Sequence, residues 1–305
     1  MKIVVAGGSG FLGRPLVARL SSAGHEVIVL SRAGVGVGGS RTRTVAWQPD
    51  GAAGSWADAI DGAGAVVNLA GEGISDRRWT KARKTWLEQS RLLSTRSLVA
   101  AIARAAERPP VLISASGVGY YGDTGDRIVT ESDPPGRDFL ANLCVAWEAE
   151  ARKAEALGCR VALLRTGVVL ARHGGALKKL VPPFLMCAGG PIASGRQFLP
   201  WIHLDDYLAL TEWLIEHAGA SGPFNAAAPN PVTSRDFAKA LGRAMHRPSS
   251  LPMPRVALRL LIGEMADVAL VAGQRVVPSR ALADGFVFRC PEIDGAMRAI
   301  FTSRR

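Results

Sequence analysis

The feature that most constrains this chain is its opening stretch, MKIVVAGGSGFLG. Ile3, Val4, Val5 and Ala6 form an unbroken apolar run, the pattern of a strand buried on both faces of a parallel sheet. Gly7, Gly10 and Gly13 follow at intervals of three. Helical spacing then places Leu16, Val17 and Leu20 on one side, with Pro15 in a first turn and Gly24 as the stop. A strand, a glycine turn and a helix in this order form a seat for a dinucleotide. Gly7 allows the sharp turn, Gly10 lets backbone approach a pyrophosphate, and Gly13 lets helix and strand pack closely. The N–H groups at the helix start add partial positive charge.

The next strand, Glu26 to Leu30, ends in Ser31-Arg32, and no Asp or Glu lies between Val27 and Trp47. An acid at this place would hold a ribose 2′-hydroxyl, whereas an arginine suits a 2′-phosphate. Ser31 and Arg32 therefore point to NADP(H), the alternative being that Arg32 is one more solvated arginine. Further strands are expected at 43–47, 65–69, 111–115 and 160–164, with helical stretches at 55–60, 81–106 and 138–157. The small residues Ala70 and Gly71 end the fourth strand, where an open sheet binds its ligand. Strand and helix alternate, which predicts an α/β fold: a Rossmann-type doubly wound parallel sheet. After residue 170 the chain turns Gly- and Pro-rich, as loops over a pocket are. The expected division is a cofactor domain over 1–170 and a smaller interleaved substrate lobe over 171–305, with an apolar helical region after Leu251 and a terminal helix near 293–300.

Composition narrows the function. Lys and Arg number 37 against 26 acids, a net charge of +11. The basic residues are scattered without interleaved aromatics, so nucleic-acid binding is not expected. No uncharged apolar run reaches the roughly 18 residues of a membrane span, and the first apolar run is too short for a secretory signal. Cys144, Cys159, Cys187 and Cys290 form no paired motif, so a reduced, cytoplasmic setting without a metal site is expected.

The segments GGSGFLG, NLAGE with RRW, SRLLSTRSL, VGYYGD, WEAEA, LLRTGVVL, GGPIASGRQFLPWIHLDDY, NAAAPNPVTS, GEMA and ADGFVF resemble one family across nearly the whole chain. It is the extended short-chain dehydrogenase/reductase superfamily, in its atypical branch of NAD(P)-dependent epimerase-family proteins with a small C-terminal domain of unknown function. The resemblance implies that this domain lies at about 250–300 and that the cofactor-binding part extends to about 215. It implies that Gly7, Gly10, Phe11, Leu12 and Gly13 hold the pyrophosphate, and Ser31 and Arg32 the 2′-phosphate. Leu69 and Ala70 would line the ribose and adenine, Arg91 would reach in from the long helix, and Val169 would sit near the nicotinamide. Arg91 can equally be a helix-surface charge.

The superfamily works through a Tyr with a Lys four residues on, the Lys lowering the phenol pKa. Here Thr124, Gly125 and Thr211 follow the three tyrosines at that spacing, and the corresponding helix carries Phe139, Leu140, Leu143 and Cys144. Ser116, Tyr120 and Tyr121 are the remaining catalytic candidates, the alternative for each being packing or turn capping. Arg196 and Gln197 are candidate substrate contacts. His203 is a candidate base or a buried histidine satisfied by Asp205 or Asp206. Two functions stay open: an NADP(H)-dependent oxidoreductase or epimerase acting on a sugar-nucleotide or carbonyl substrate, and an NADP(H)-binding sensor or scaffold without turnover. A homodimer through the helices at 81–106 and 138–157 is the guess for assembly.

Overall fold

The computed structural model describes residues 1–32, 34, 36 and 41–302; the last three residues of the expected lobe lie outside them. Seven parallel strands form the central sheet: β1 (Lys2–Ala6), β2 (Glu26–Ser31), β3 (Thr42–Ala46), β4 (Ala65–Asn68), β5 (Val111–Gly117), β6 (Arg160–Thr166) and β7 (Gly222–Ala226). Their spatial order is β7-β6-β5-β4-β1-β2-β3. The order reverses beside β1, so β1 and β4 diverge into crossovers on opposite faces and leave a crevice at their carboxyl ends.

Nine α-helices are described: α1 (Gly13–Ser22), α2 (Lys81–Arg104), α3 (Phe139–Arg152), α4 (Leu177–Leu185), α5 (Leu204–Glu216), α6 (Ser234–Met245), α7 (Arg255–Ile262), α8 (Ser279–Ala283) and α9 (Ile293–Thr302). The period-two alternation of β1 divides the core. Ile3 and Val5 face Leu16 and Val17 of α1 and Leu210 and Leu214 of α5. Val4 and Ala6 face Leu98 and Ile102 of α2 and Ala151 of α3. A third core joins Leu177 and Phe184 of α4, Phe237 and Leu241 of α6, and Ile300 of α9. The lobe is thus a small helical layer threaded by short strand pairs, 168–170 with 201–203 and 198–199 with 232–233. The seventh sheet strand comes from within the 171–305 region, so the chain returns to the sheet after visiting the lobe.

Several boundaries differ from the sequence expectation. β5 and β6 each run two residues further, because Ser116 and Gly117 pair with Arg165 and Thr166 in continuous register. The expected helix over 138–157 stops at Arg152, and a short 3₁₀ turn at Glu155–Leu157 follows, closed by Gly158 at φ 81°. The apolar region after Leu251 is broken at Gly263, whose φ of 69° ends α7.

Candidate functional site: a dinucleotide cleft and a buried polar network

A cleft of about 350 Å³ opens at the carboxyl ends of β1, β2 and β4. Gly7, Gly10, Ser31, Arg32, Leu69, Ala70 and Gly71 line it, so seven residues singled out in the sequence converge there. The glycines are required by the backbone. Gly7 has φ of 79°, and a Cβ on it would lie 2.8 Å from the Leu69 carbonyl carbon. A Cβ on Gly13 would lie 2.2 Å from the Gly7 oxygen, so only glycine lets α1 start this close to the turn. Leu12 precedes α1 and places no side-chain cap on it. In the first turn the Arg14 and Leu16 N–H groups donate to the Gly10 and Leu12 carbonyls and Pro15 has none, so what the helix start offers a pyrophosphate is its partial positive charge and the backbone of the turn before it.

Arg32 is 65% exposed, and its Nη2 donates to Glu72 Oε1 at 3.1 Å. Trp47, Pro49, Trp86, Gln89 and Leu93 also line the cleft, a largely apolar surface suited to an adenine. These five were not singled out from the sequence: Trp47 and Pro49 follow β3 while Trp86, Gln89 and Leu93 sit on α2, and the two groups meet only in the folded chain. A glycine cradle, a helix start and a guanidinium at the end of β2 fit a 2′-phosphorylated dinucleotide.

Phe11, Leu12, Gly13, Arg91 and Val169 do not line the cleft. The Phe11 ring packs where a Cβ on Gly174 would stand, 2.5 Å away, and so joins the glycine turn to the loop after β6. Val169 is buried and paired with Ile202. Arg91 lies behind the cleft wall: its Nη1 donates to the Leu87 carbonyl and its Nη2 to the Glu72 carbonyl, at 3.0 and 2.9 Å. Burial lowers its pKa to about 10, which still leaves it charged at neutral pH. Ser90 Oγ accepts from the Glu72 N–H, and Asn68 donates to Thr95 Oγ1. The α2 segment SRLLST therefore clamps the loop 68–72, and Arg91 shapes the cleft from the rear.

At the ends of β5 and β6 lies a second set of polar groups. Ser116 Oγ donates to Glu148 Oε1 at 2.7 Å. Glu148 also accepts two hydrogen bonds from Arg165, at 2.8 and 2.9 Å. Arg165 Nη1 donates to the Tyr121 hydroxyl at 3.1 Å, and that hydroxyl donates to Asn225 Oδ1 at 2.7 Å. Burial alone would lower the Arg165 pKa; the Glu148 carboxylate and Tyr121 more than offset this and raise it. Burial pushes the Tyr121 phenol up to about 12. Ser116 and Tyr121 are thus fully engaged inside the protein. Tyr120 differs: its ring stacks on Arg165, 3.4 Å from ring centroid to guanidinium carbon, and it is only partly buried. Arg165 and Glu148 were missed in the sequence although both sit in quoted motifs. The available signal was a charge closing the apolar strand VALL at its carboxyl end, where ligand sites lie.

In the lobe, the Gln197 amide donates to the Ile192 and Leu270 carbonyls and ties two loops together. Arg196 lines a separate surface cleft with Arg235 and Arg275. His203 is buried, and its Nδ1 accepts the Asp205 N–H at 3.2 Å, an N-cap for α5. Asp206 instead accepts from the N–H groups of Arg289 and Cys290. Among the described residues there is no cluster of His, Cys, Asp or Glu that could hold a metal, and no helix long and apolar enough to cross a membrane.

Comparison with known proteins agrees with this geometry. A domain of unknown function (DUF1731) matches residues 253–300. An epimerase family protein of Mycobacterium bovis is 42% identical over 97% of this chain and 96% of its own. The crystal structure of human epimerase family protein SDR39U1 with NADPH superposes with a TM-score of 0.90 at 34% identity, covering 100% of both chains. The nucleoside-diphosphate sugar epimerase from Corynebacterium glutamicum gives 0.79 at 34% identity, covering 99% of this chain and 58% of that one. The family model that spans the sheet, from residue 3 to residue 227, describes the NAD dependent epimerase/dehydratase family, and this chain belongs to it.

Proposed function

We propose that this chain binds NADP(H) in the cleft at the ends of β1, β2 and β4 and exchanges a hydride with a small carbonyl or hydroxyl substrate. The observation that carries the reading is Ser31-Arg32 closing β2 over the glycine turn, on a cleft wall where an NAD site would place an acid. The turn from Gly7 to Gly13 and the start of α1 would hold the pyrophosphate, and Ser31 and Arg32 the 2′-phosphate. Bound NADP(H) supplies the hydride donor or acceptor. Of this chain's own groups, Tyr120 is the candidate for moving a proton at the substrate oxygen, since Ser116 and Tyr121 are committed to the network around Arg165. Arg196 is the candidate for holding an anionic part of the substrate in the lobe. The reading carries with it a cytoplasmic setting and a homodimer through the faces of α2 and α3.

The test is hydride exchange. Protein incubated with NADPH deuterated at its transferable hydrogen, and with panels of carbonyls and sugar-nucleotides, is expected to pass the label to at least one substrate, and Tyr120→Phe to slow that transfer. Tight NADPH binding with no transfer to any substrate would instead favour a second reading, a cofactor-binding sensor or scaffold. The absence of a Tyr–Lys pair and the engagement of Ser116 and Tyr121 in a structural network speak for that alternative.

A further inference from the structure

Glu72 is a carboxylate on the wall of a cleft that is read above as a seat for phosphate. Its backbone is fixed on both sides: the N–H donates to Ser90 and the carbonyl accepts from Arg91. Only the side chain is free to swing. Oε1 accepts a hydrogen bond from Arg32 Nη2 at 3.1 Å, while Oε2 lies 3.6 Å from Arg83 Nη1, beyond hydrogen-bond range. The two arginines differ in burial. The Arg32 side chain is 65% exposed and that of Arg83 only 11%. Arg83 donates to the Gly73 carbonyl through Nη2, and its buried Nε makes no hydrogen bond. It belongs to an adjoining cleft of about 750 Å³, lined also by Arg77 and Arg78, whose shared wall is Glu72 and Trp86.

We propose that Glu72 is the gate of the 2′-phosphate seat: it pairs with Arg32, is displaced toward Arg83 by an incoming 2′-phosphate, and so tunes the preference between the two dinucleotides. The inference rests on the cofactor reading above. An exposed carboxylate–guanidinium pair is weak. A phosphate with close to two charges binds a guanidinium in a bidentate manner and outcompetes it. The displaced carboxylate would otherwise stand beside a like charge, and Arg83 gives it a partly buried partner half an ångström beyond bonding distance. A dinucleotide with a bare 2′-hydroxyl leaves the Arg32–Glu72 pair intact. Glu72 therefore opposes the phosphorylated form only, and Arg83 relieves that opposition.

The experiment is titration calorimetry of NADP⁺ and NAD⁺ on the full chain and two variants. Glu72→Gln is expected to bind NADP⁺ about fivefold tighter, the scale of one exposed ion pair, with NAD⁺ affinity unchanged. Arg83→Met, which removes the receiving charge, is expected to weaken NADP⁺ binding by a similar factor and again to leave NAD⁺ alone. If Glu72→Gln binds NADP⁺ no tighter than the parent, or if Arg83→Met moves both dinucleotides equally, the gate is overturned while the cofactor reading stands. A parent chain that binds neither dinucleotide overturns both.

Discussion

Arg165 grips Glu148 through two parallel hydrogen bonds, with the two side chains only 3% and 6% exposed. The pair joins β6 to α3 and carries Ser116, Tyr121 and the face of Tyr120 with it. A guanidinium and a carboxylate this deep persist only because every polar atom finds a partner, and removing one of them strands the other.

The first prediction follows from that asymmetry. Glu148→Gln leaves the Arg165 charge buried without its counter-ion and is expected to cost about 3–5 kcal/mol of stability, read from urea unfolding. Replacing both residues by leucine and methionine is expected to cost less than the single change. Equal or greater loss in the double variant would show that the pair does more than satisfy itself.

A second prediction concerns alkaline pH. Burial pushes both Tyr121 and Tyr207 up to about 12, against an ordinary value of 10.0. Between these values the native state keeps protons that the unfolded chain releases, so stability falls as pH rises through that window and is fully present below it. Absorbance titration near 295 nm, a tyrosinate band, is expected to show phenolate appearing late in the native protein. Tyr121→Phe should remove one of the late-ionising groups.

The glycine turn supplies a third. Gly13→Ala drives a Cβ to 2.2 Å from the Gly7 oxygen, a collision with backbone that cannot yield. Gly10→Ala brings its Cβ to 3.2 Å from the same oxygen, which a small shift relieves. Gly13→Ala is therefore expected to lower the melting temperature and abolish dinucleotide binding. Gly10→Ala should leave the fold intact and weaken binding alone. Thermal scans with and without NADPH separate the two.

How far the residues could be read in advance depends on how local their chemistry is. Gly7, Gly10, Ser31, Arg32 and Ala70 were legible because each acts within a few residues of a strand end, and apolar runs mark the strand ends. The sheet was legible for the same reason: Ile3 to Ala6 and Ala65 to Val67 are apolar on both faces. That Arg91 reaches in from the long helix rested on resemblance alone, with a helix-surface charge as the alternative. The carbonyls of Leu87 and Glu72 to which it donates depend on how α2 lies over the loop after β4. Arg165 and Glu148 are 17 residues apart and meet because α3 packs against the ends of β5 and β6, a pairing that spacing alone does not encode. Gln197 and His203 look like ligands in isolation. In the structure Gln197 ties two loops and His203 caps a helix, as buried polar side chains bond to the backbone around them.

The most direct test of the account is calorimetric titration of the pure chain with NADPH and NADH, repeated on Arg32→Asp. Binding of NADPH at least about tenfold tighter than NADH, a difference of about 1.4 kcal/mol, and loss of that preference in the variant, are the predicted results. No heat with NADPH, or a parent chain that favours NADH, would contradict it.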